Sequence, residues 1–97
     1  MRTNQSVKVA VLVRALRNAF NMSQATIASI SGTSRPTINR IESLDGTSPR
    51  SDTVDDLLQV FRDMGVEIQV GDEDVTVRFK RQALEAAESH IKGNAQT

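Results

Sequence analysis

The 97-residue chain is 38% hydrophobic and 25% charged, with phenylalanine as its one aromatic type, which allows a single small domain with an aliphatic core and a short extension. It has no cysteine, so a disulfide framework, a thiolate zinc site and a cysteine nucleophile are all excluded. The net charge of zero is unevenly spread: residues 1–50 carry seven basic groups against Glu42 and Asp45, and residues 51–97 carry five against ten acids, so a polyanion is drawn to the first part and repelled by the second.

From Ser6, a candidate N-cap, Val9, Leu12, Val13, Leu16, Ala19 and Phe20 recur at spacings of three and four, which predicts an amphipathic helix over about 7–20. Its β-branched residues lower intrinsic helix propensity, so tertiary packing has to hold it. The apolar run from Val7 to Val13 is broken by Lys8 and ended by Arg14. It is too short to span a bilayer and lacks a signal-type cleavage site, so a cytoplasmic location with no membrane partner is expected. Asn21 suits a left-handed helix end, and Met22 folds back onto the apolar face.

Ser23 caps a second, short helix that places Ile27, Ala28 and Ile30 inward and stops at Gly32. Ser34 caps a third, with Pro36 in the first turn, where its missing N–H costs no intrahelical bond, and with Ile38 and Ile41 inward. The polar loop 43–50 holds Asp45-Gly46 and Ser48-Pro49, both turn-forming pairs. Ser51 or Asp52 then caps a fourth helix with Val54, Leu57, Leu58, Phe61 and Met64 on one face and Gly65 at its end.

The hydrophobic period then changes to two. Val66, Ile68 and Val70, followed by Val75, Val77 and Phe79, predict a β-hairpin joined through Gly71-Asp72-Glu73-Asp74. A lone hairpin is marginal in water, so its apolar face has to cover the helices, a partner chain or both. These six residues are the candidate dimerisation set. Residues 82–92 predict a thinly apolar helix bearing Leu84, Ala87 and Ile91, better suited to docking or dimerisation than to an anionic membrane. Residues 93–97 are expected to be a disordered tail.

The segment Ser23 to Glu42 carries the functional signal. Ala28 is small where two helices cross, Gly32 permits a sharp turn, and Ile38 and Ile41 lock the second helix onto the first. These restraints define a helix-turn-helix unit. Its outward positions, Arg35, Thr37, Asn39 and Arg40, carry hydrogen-bonding groups suited to base edges and phosphates.

In Ser23-Gln24, Ile27-Ala28, Gly32, Ser34-Arg35, Thr37-Ile38 and Arg40-Ile41-Glu42 the segment resembles the Cro and phage-repressor superfamily, the Xre-like helix-turn-helix proteins. With the flanking helices the resemblance covers roughly residues 7–65, and the continuation Gly65-Val66-Glu67-Ile68 looks like small members with a β extension. Two residues depart from the pattern: Thr26 stands where the family often has Glu, so the capping box is absent, and Thr33 stands where the turn usually carries an apolar residue.

The resemblance implies a mainly α, lambda-repressor-like bundle of four to five helices, with the hairpin and a short terminal helix appended. Residues 1–65 then form the DNA-binding domain and residues 66–92 an extension for dimerisation or partner binding. It implies that Gln24 contacts phosphate at the start of the first motif helix, that Arg35, Pro36 and Arg40 face bases, and that Thr37 and Ser43 lie near phosphates beside the Ser34 cap. Asn39 is a candidate adenine reader.

The expected function is a sequence-specific transcriptional regulator, a repressor or autoregulator binding an inverted-repeat operator as a homodimer, on a phage, plasmid or other mobile element. The alternative is an antitoxin that binds a toxin through its acidic C-terminal part. No enzymatic activity, cofactor or metal is expected. The one histidine, His90, sits near the chain end, and Asp72, Glu73 and Asp74 lack the ligand spacing of a calcium loop.

Overall fold

The computed structural model describes residues 4–46 and 48–95. Five helices and one two-stranded antiparallel sheet follow in the order α1 (Gln5–Ala19), α2 (Gln24–Ser31), α3 (Arg35–Ser43), α4 (Ser51–Asp63), β1 (Val66–Val70), β2 (Val75–Phe79) and α5 (Arg81–Ala95). The expected helix-turn-helix bundle with a C-terminal hairpin and terminal helix is the fold of this chain.

α1 starts two residues before the sequence reading placed it. The carboxamide of Asn4, not Ser6, caps it by accepting the Ser6 backbone N–H at 2.7 Å. The Ser6 hydroxyl instead pairs with the Ser48 hydroxyl at 2.9 Å. At the other end Asn21 takes the expected left-handed conformation, φ 53°, and the Met22 N–H turns back to the Arg17 carbonyl at 2.9 Å.

Ser23 and Ser34 cap α2 and α3 as expected, each accepting the backbone N–H three residues on. Gly32 ends α2 at φ 78°, a conformation that costs a side-chain-bearing residue its Cβ clearance. Ile30 does not face inward. The buried line of α2 runs through Ile27 toward Ser31, which turns Ile30 to solvent at 54% exposure.

α4 begins after Arg50, whose side chain makes no cap bond, so neither Ser51 nor Asp52 is the cap residue. Asp52 sits in the first turn, where a carboxylate suits the helix dipole. Gly65 follows α4 at φ 100°, and a Cβ there would lie 2.8 Å from the Ala83 backbone nitrogen. Glycine is therefore required both by conformation and by the close approach of α5.

The hairpin register pairs Val66 with Phe79, Ile68 with Val77 and Val70 with Val75, so all six apolar residues share one face. The base of that face belongs to the chain's own core. Val66 and Ile68 are buried, Val75 and Phe79 are half-buried against the core, and only Val70 at the tip and Val77 opposite Ile68 stay exposed. The set expected to meet a partner is thus divided, with most of it consumed within the monomer.

The core gathers α1, α3, α4, the hairpin base and Ala83 of α5 around Phe20, whose ring lies 5.9 Å from both Phe61 and Phe79. Residues 66–92 therefore share one core with the helices before them. α5 also continues to Ala95, past the end expected at residue 92 and into the stretch expected to be disordered. Gln96 and Thr97 of that stretch lie outside the described residues.

Candidate nucleic-acid interface

α2 and α3 meet through Ile27, Ala28, Ile38 and Ile41, all buried in or packed against the core. Burying Ile38 and Ile41 inward turns the opposite side of α3 to solvent. Ser34, Arg35, Pro36, Asn39, Arg40 and Ser43 are exposed there, and Thr37 and Gln24 are half-buried at its margin.

The Arg35 guanidinium has no hydrogen-bond or ion-pair partner among the described residues and projects from the first turn of α3. Arg40 is tethered lightly, with one nitrogen 3.4 Å from the Thr37 hydroxyl. That hydroxyl lies 2.8 Å from Ser34 Oγ, so cap and side chain form one polar edge. The Ser43 hydroxyl donates back to the Asn39 carbonyl one turn earlier, at 2.7 Å, as serine in a helix commonly does.

Beneath this surface lies a buried polar network that the sequence reading missed. Arg17 of α1 donates from Nε and Nη2 to the two carboxylate oxygens of Glu42 at 2.7 and 2.9 Å, and from Nη1 to the Met22 carbonyl at 2.9 Å. Gln24 donates to Glu42 at 3.2 Å, and its carboxamide also lies 3.4 Å from Asn39 Oδ1. Asn39 is exposed and lies beside Gln24 of α2.

Burial pushes the Glu42 carboxyl up, but hydrogen bonds from Arg17 and Gln24, with the charges of Arg17 and Arg14, outweigh it and hold Glu42 below its ordinary range. The hydrogen bond to Glu42 likewise raises Arg17 against the opposing effect of burial. Both groups stay ionised at neutral pH, and the two-pronged bond fixes the angle of α3 on α1. Twenty-five residues separate Arg17 from Glu42, so local patterning carried no sign of the pair.

Beside α3, an open depression of about 460 Å³ is lined by Thr37, Arg40, Ile41, Asp45, Gly46, Ser48, Pro49, Arg50 and Thr53. It sets Arg50 and Ser48 on the same side as Arg40, where the sequence reading recorded only turn formers. Hydroxyls and guanidinium groups on one surface supply donors that match phosphate oxygens.

A helix-turn-helix family model matches residues 13–62, half of the chain. The chain belongs to that family, the Cro/repressor superfamily. It is accordingly a DNA-binding regulatory protein of a family that is not typically enzymatic. The matched span runs from the middle of α1 to the end of α4 and so contains Arg17, Glu42 and the whole outward face of α3. No curated protein and no solved structure gives a significant match. Among the described residues, no helix is long and apolar enough to cross a membrane.

Proposed function

We propose that the chain is a sequence-specific transcriptional repressor or autoregulator that reads an inverted-repeat operator as a two-fold dimer, with α3 in the major groove. The observation that carries this reading is the pairing of two exposed guanidinium groups, Arg35 and the lightly tethered Arg40, with a helix held from behind by the Arg17–Glu42–Gln24 network. Rigid presentation keeps the cost of ordering the readers on binding low.

In this reading Arg35 and Arg40 each take guanine O6 and N7, a bidentate contact worth about 1–3 kcal/mol of discrimination against a wrong base. Pro36, with no donor, packs on a thymine methyl. Gln24, Ser34, Thr37 and Ser43 meet phosphates, joined by Arg50 and Ser48 from the neighbouring depression. Asn39 supports Gln24 and touches bases only at its edge. Two copies of α3 then meet half-sites about 34 Å apart, one helical turn of DNA.

Selection of bound fragments from random duplex DNA tests the reading, followed by salt titration of the winning sequence. Arg35→Ala and Arg40→Ala are each expected to relax preference at one base position and weaken binding about 5- to 150-fold, the equivalent of about 1–3 kcal/mol. Arg50→Ala is expected to weaken all sequences alike and reduce the salt slope by about 1. Unchanged affinity and slope in all three variants would refute it.

A further inference from the structure

We infer that the depression between the end of α1, the start of α2 and α5 is a binding site for a small phosphate monoester, and that its occupation loosens the hold on α3. The site stands without the operator reading, and its effect on DNA binding rests on that reading.

Three elements build the depression, which measures about 430 Å³: Arg17 and Asn18 come from α1, Thr26 and the cap residue Ser23 from α2, and His90 from α5. Small-ligand sites are ordinarily lined by apolar side chains with a few polar ones. Here the proportion is reversed, which suits a small charged ligand.

The lining carries hydrogen-bonding capacity that the chain does not use. A guanidinium has five N–H groups, and Arg17 commits three of them, two to Glu42 and one to the Met22 carbonyl. Ser23 and Thr26 have two hydroxyl hydrogens, and since one serves the 3.0 Å contact between their oxygens, the other is left to donate. The Asn18 carboxamide and the His90 imidazole nitrogens make no hydrogen bond to the described residues. The His90 ring is held instead by its edge-on contact with Phe20, centroids 6.2 Å apart.

No carboxylate lines the depression. Glu42 draws on the charge of Arg17, yet Arg14 also acts on Glu42, so two guanidinium groups stand against one carboxylate and positive charge is left over. Unused donors in a positive field select an anion. Their arrival from three helices selects its shape, because a phosphate monoester offers three terminal oxygens, one toward each helix, whereas a planar carboxylate offers two.

Occupation reaches α3 through Arg17. An anion beside that guanidinium repels the Glu42 carboxylate and competes for its donors, so the two-pronged bond that fixes the angle of α3 weakens. Operator affinity falls with it, and by linkage the operator weakens phosphate binding by the same factor.

His90 is the single histidine of the chain, so its imidazole proton resonances report on the site directly. Titrating the full-length protein with inorganic phosphate, without DNA and at constant pH and ionic strength, should shift these resonances along a saturating curve. Asn18→Leu should raise the half-saturating concentration about tenfold, the loss of one hydrogen bond to a charged group. Acetate should shift the resonances far less than phosphate does. With the selected operator, exchanging chloride for phosphate at constant ionic strength should lower affinity about 5-fold or more. In Asn18→Leu with His90→Phe, which keeps a ring against Phe20, affinity in chloride should match wild type and the exchange should have no effect.

A shift that climbs linearly and equally in wild type and Asn18→Leu would mark an adventitious ion only and overturn the site. An equal response to acetate would overturn the phosphate class. Operator DNA that carries the His90 resonances to the position reached with phosphate would assign the site to the DNA backbone instead, and operator affinity indifferent to the exchange would overturn the effect on α3. The phosphate titration involves no DNA, whereas the operator reading is tested on α3 variants in chloride, so either can fail alone.

Discussion

The recognition unit and the C-terminal extension are both fastened to α1, on opposite sides and by different chemistry. Arg17 and Lys8 are nine residues apart, about two and a half helical turns, which puts them on opposing flanks. On one flank Arg17 grips the Glu42 carboxylate of α3 with two hydrogen bonds. On the other, the buried Lys8 ammonium donates to the Gly71 and Asp72 carbonyls in the hairpin turn at 2.5 and 2.6 Å. A guanidinium–carboxylate fork fixes an angle as well as a distance, while an ammonium on a flexible stem fixes little more than a distance. The unit that must present side chains accurately has the directional fastening. The hairpin has the looser one.

The largest expected effect follows from breaking the directional fastening. Arg17→Leu leaves Glu42 buried without its cation and should cost about 3 kcal/mol in urea denaturation at pH 7, near the lower end for a buried pair because Arg17 is 18% exposed. Arg17→Leu with Glu42→Leu should recover most of that loss, since no charge is then left buried alone. A cost below about 1 kcal/mol for the single change would mean the pair contributes little to holding α3.

Lys8→Met comes next, at about 1.5–3 kcal/mol for hydrogen bonds from a charged donor. Amide exchange should quicken in β1 and β2 while α2 and α3 keep their protection. Equal loss of protection in both regions would erase the contrast drawn between the two fastenings.

Acid provides the finest probe. Glu42 titrates below its ordinary range in the folded state, so the unfolded chain binds more protons as pH falls through the ordinary value of about 4.3. The stability it contributes is complete above that value and is lost as pH drops through the folded one. The difference in urea midpoint between wild type and Glu42→Gln should therefore be constant from pH 7 to 5 and shrink below about 4.3. A difference that grows on acidification would contradict the direction of the shift. Arg35→Ala and Arg40→Ala, by contrast, should move stability by less than about 0.5 kcal/mol, as exposed side chains that hold nothing in the core.

The sequence alone determined what depends on neighbours along the chain. Ser23, Gly32 and Ser34 mark the ends of α2 and α3 because capping involves atoms within three or four residues, and the periods of 3.6 and 2 marked which faces of α4 and the hairpin are apolar. The family resemblance rested on the same local pattern. Tertiary structure decided which of two apolar faces meets the core and which meets solvent, because burial depends on elements distant in sequence. It turned Ile30 outward, took Val66 and Ile68 into the monomer, and left Leu84 and Ile91 uncovered. It also joined Arg17 to Glu42 and Lys8 to the hairpin turn, across 25 and more than 60 residues. No local pattern encodes such pairs, since each side chain alone reads as an ordinary solvated charge on a helix.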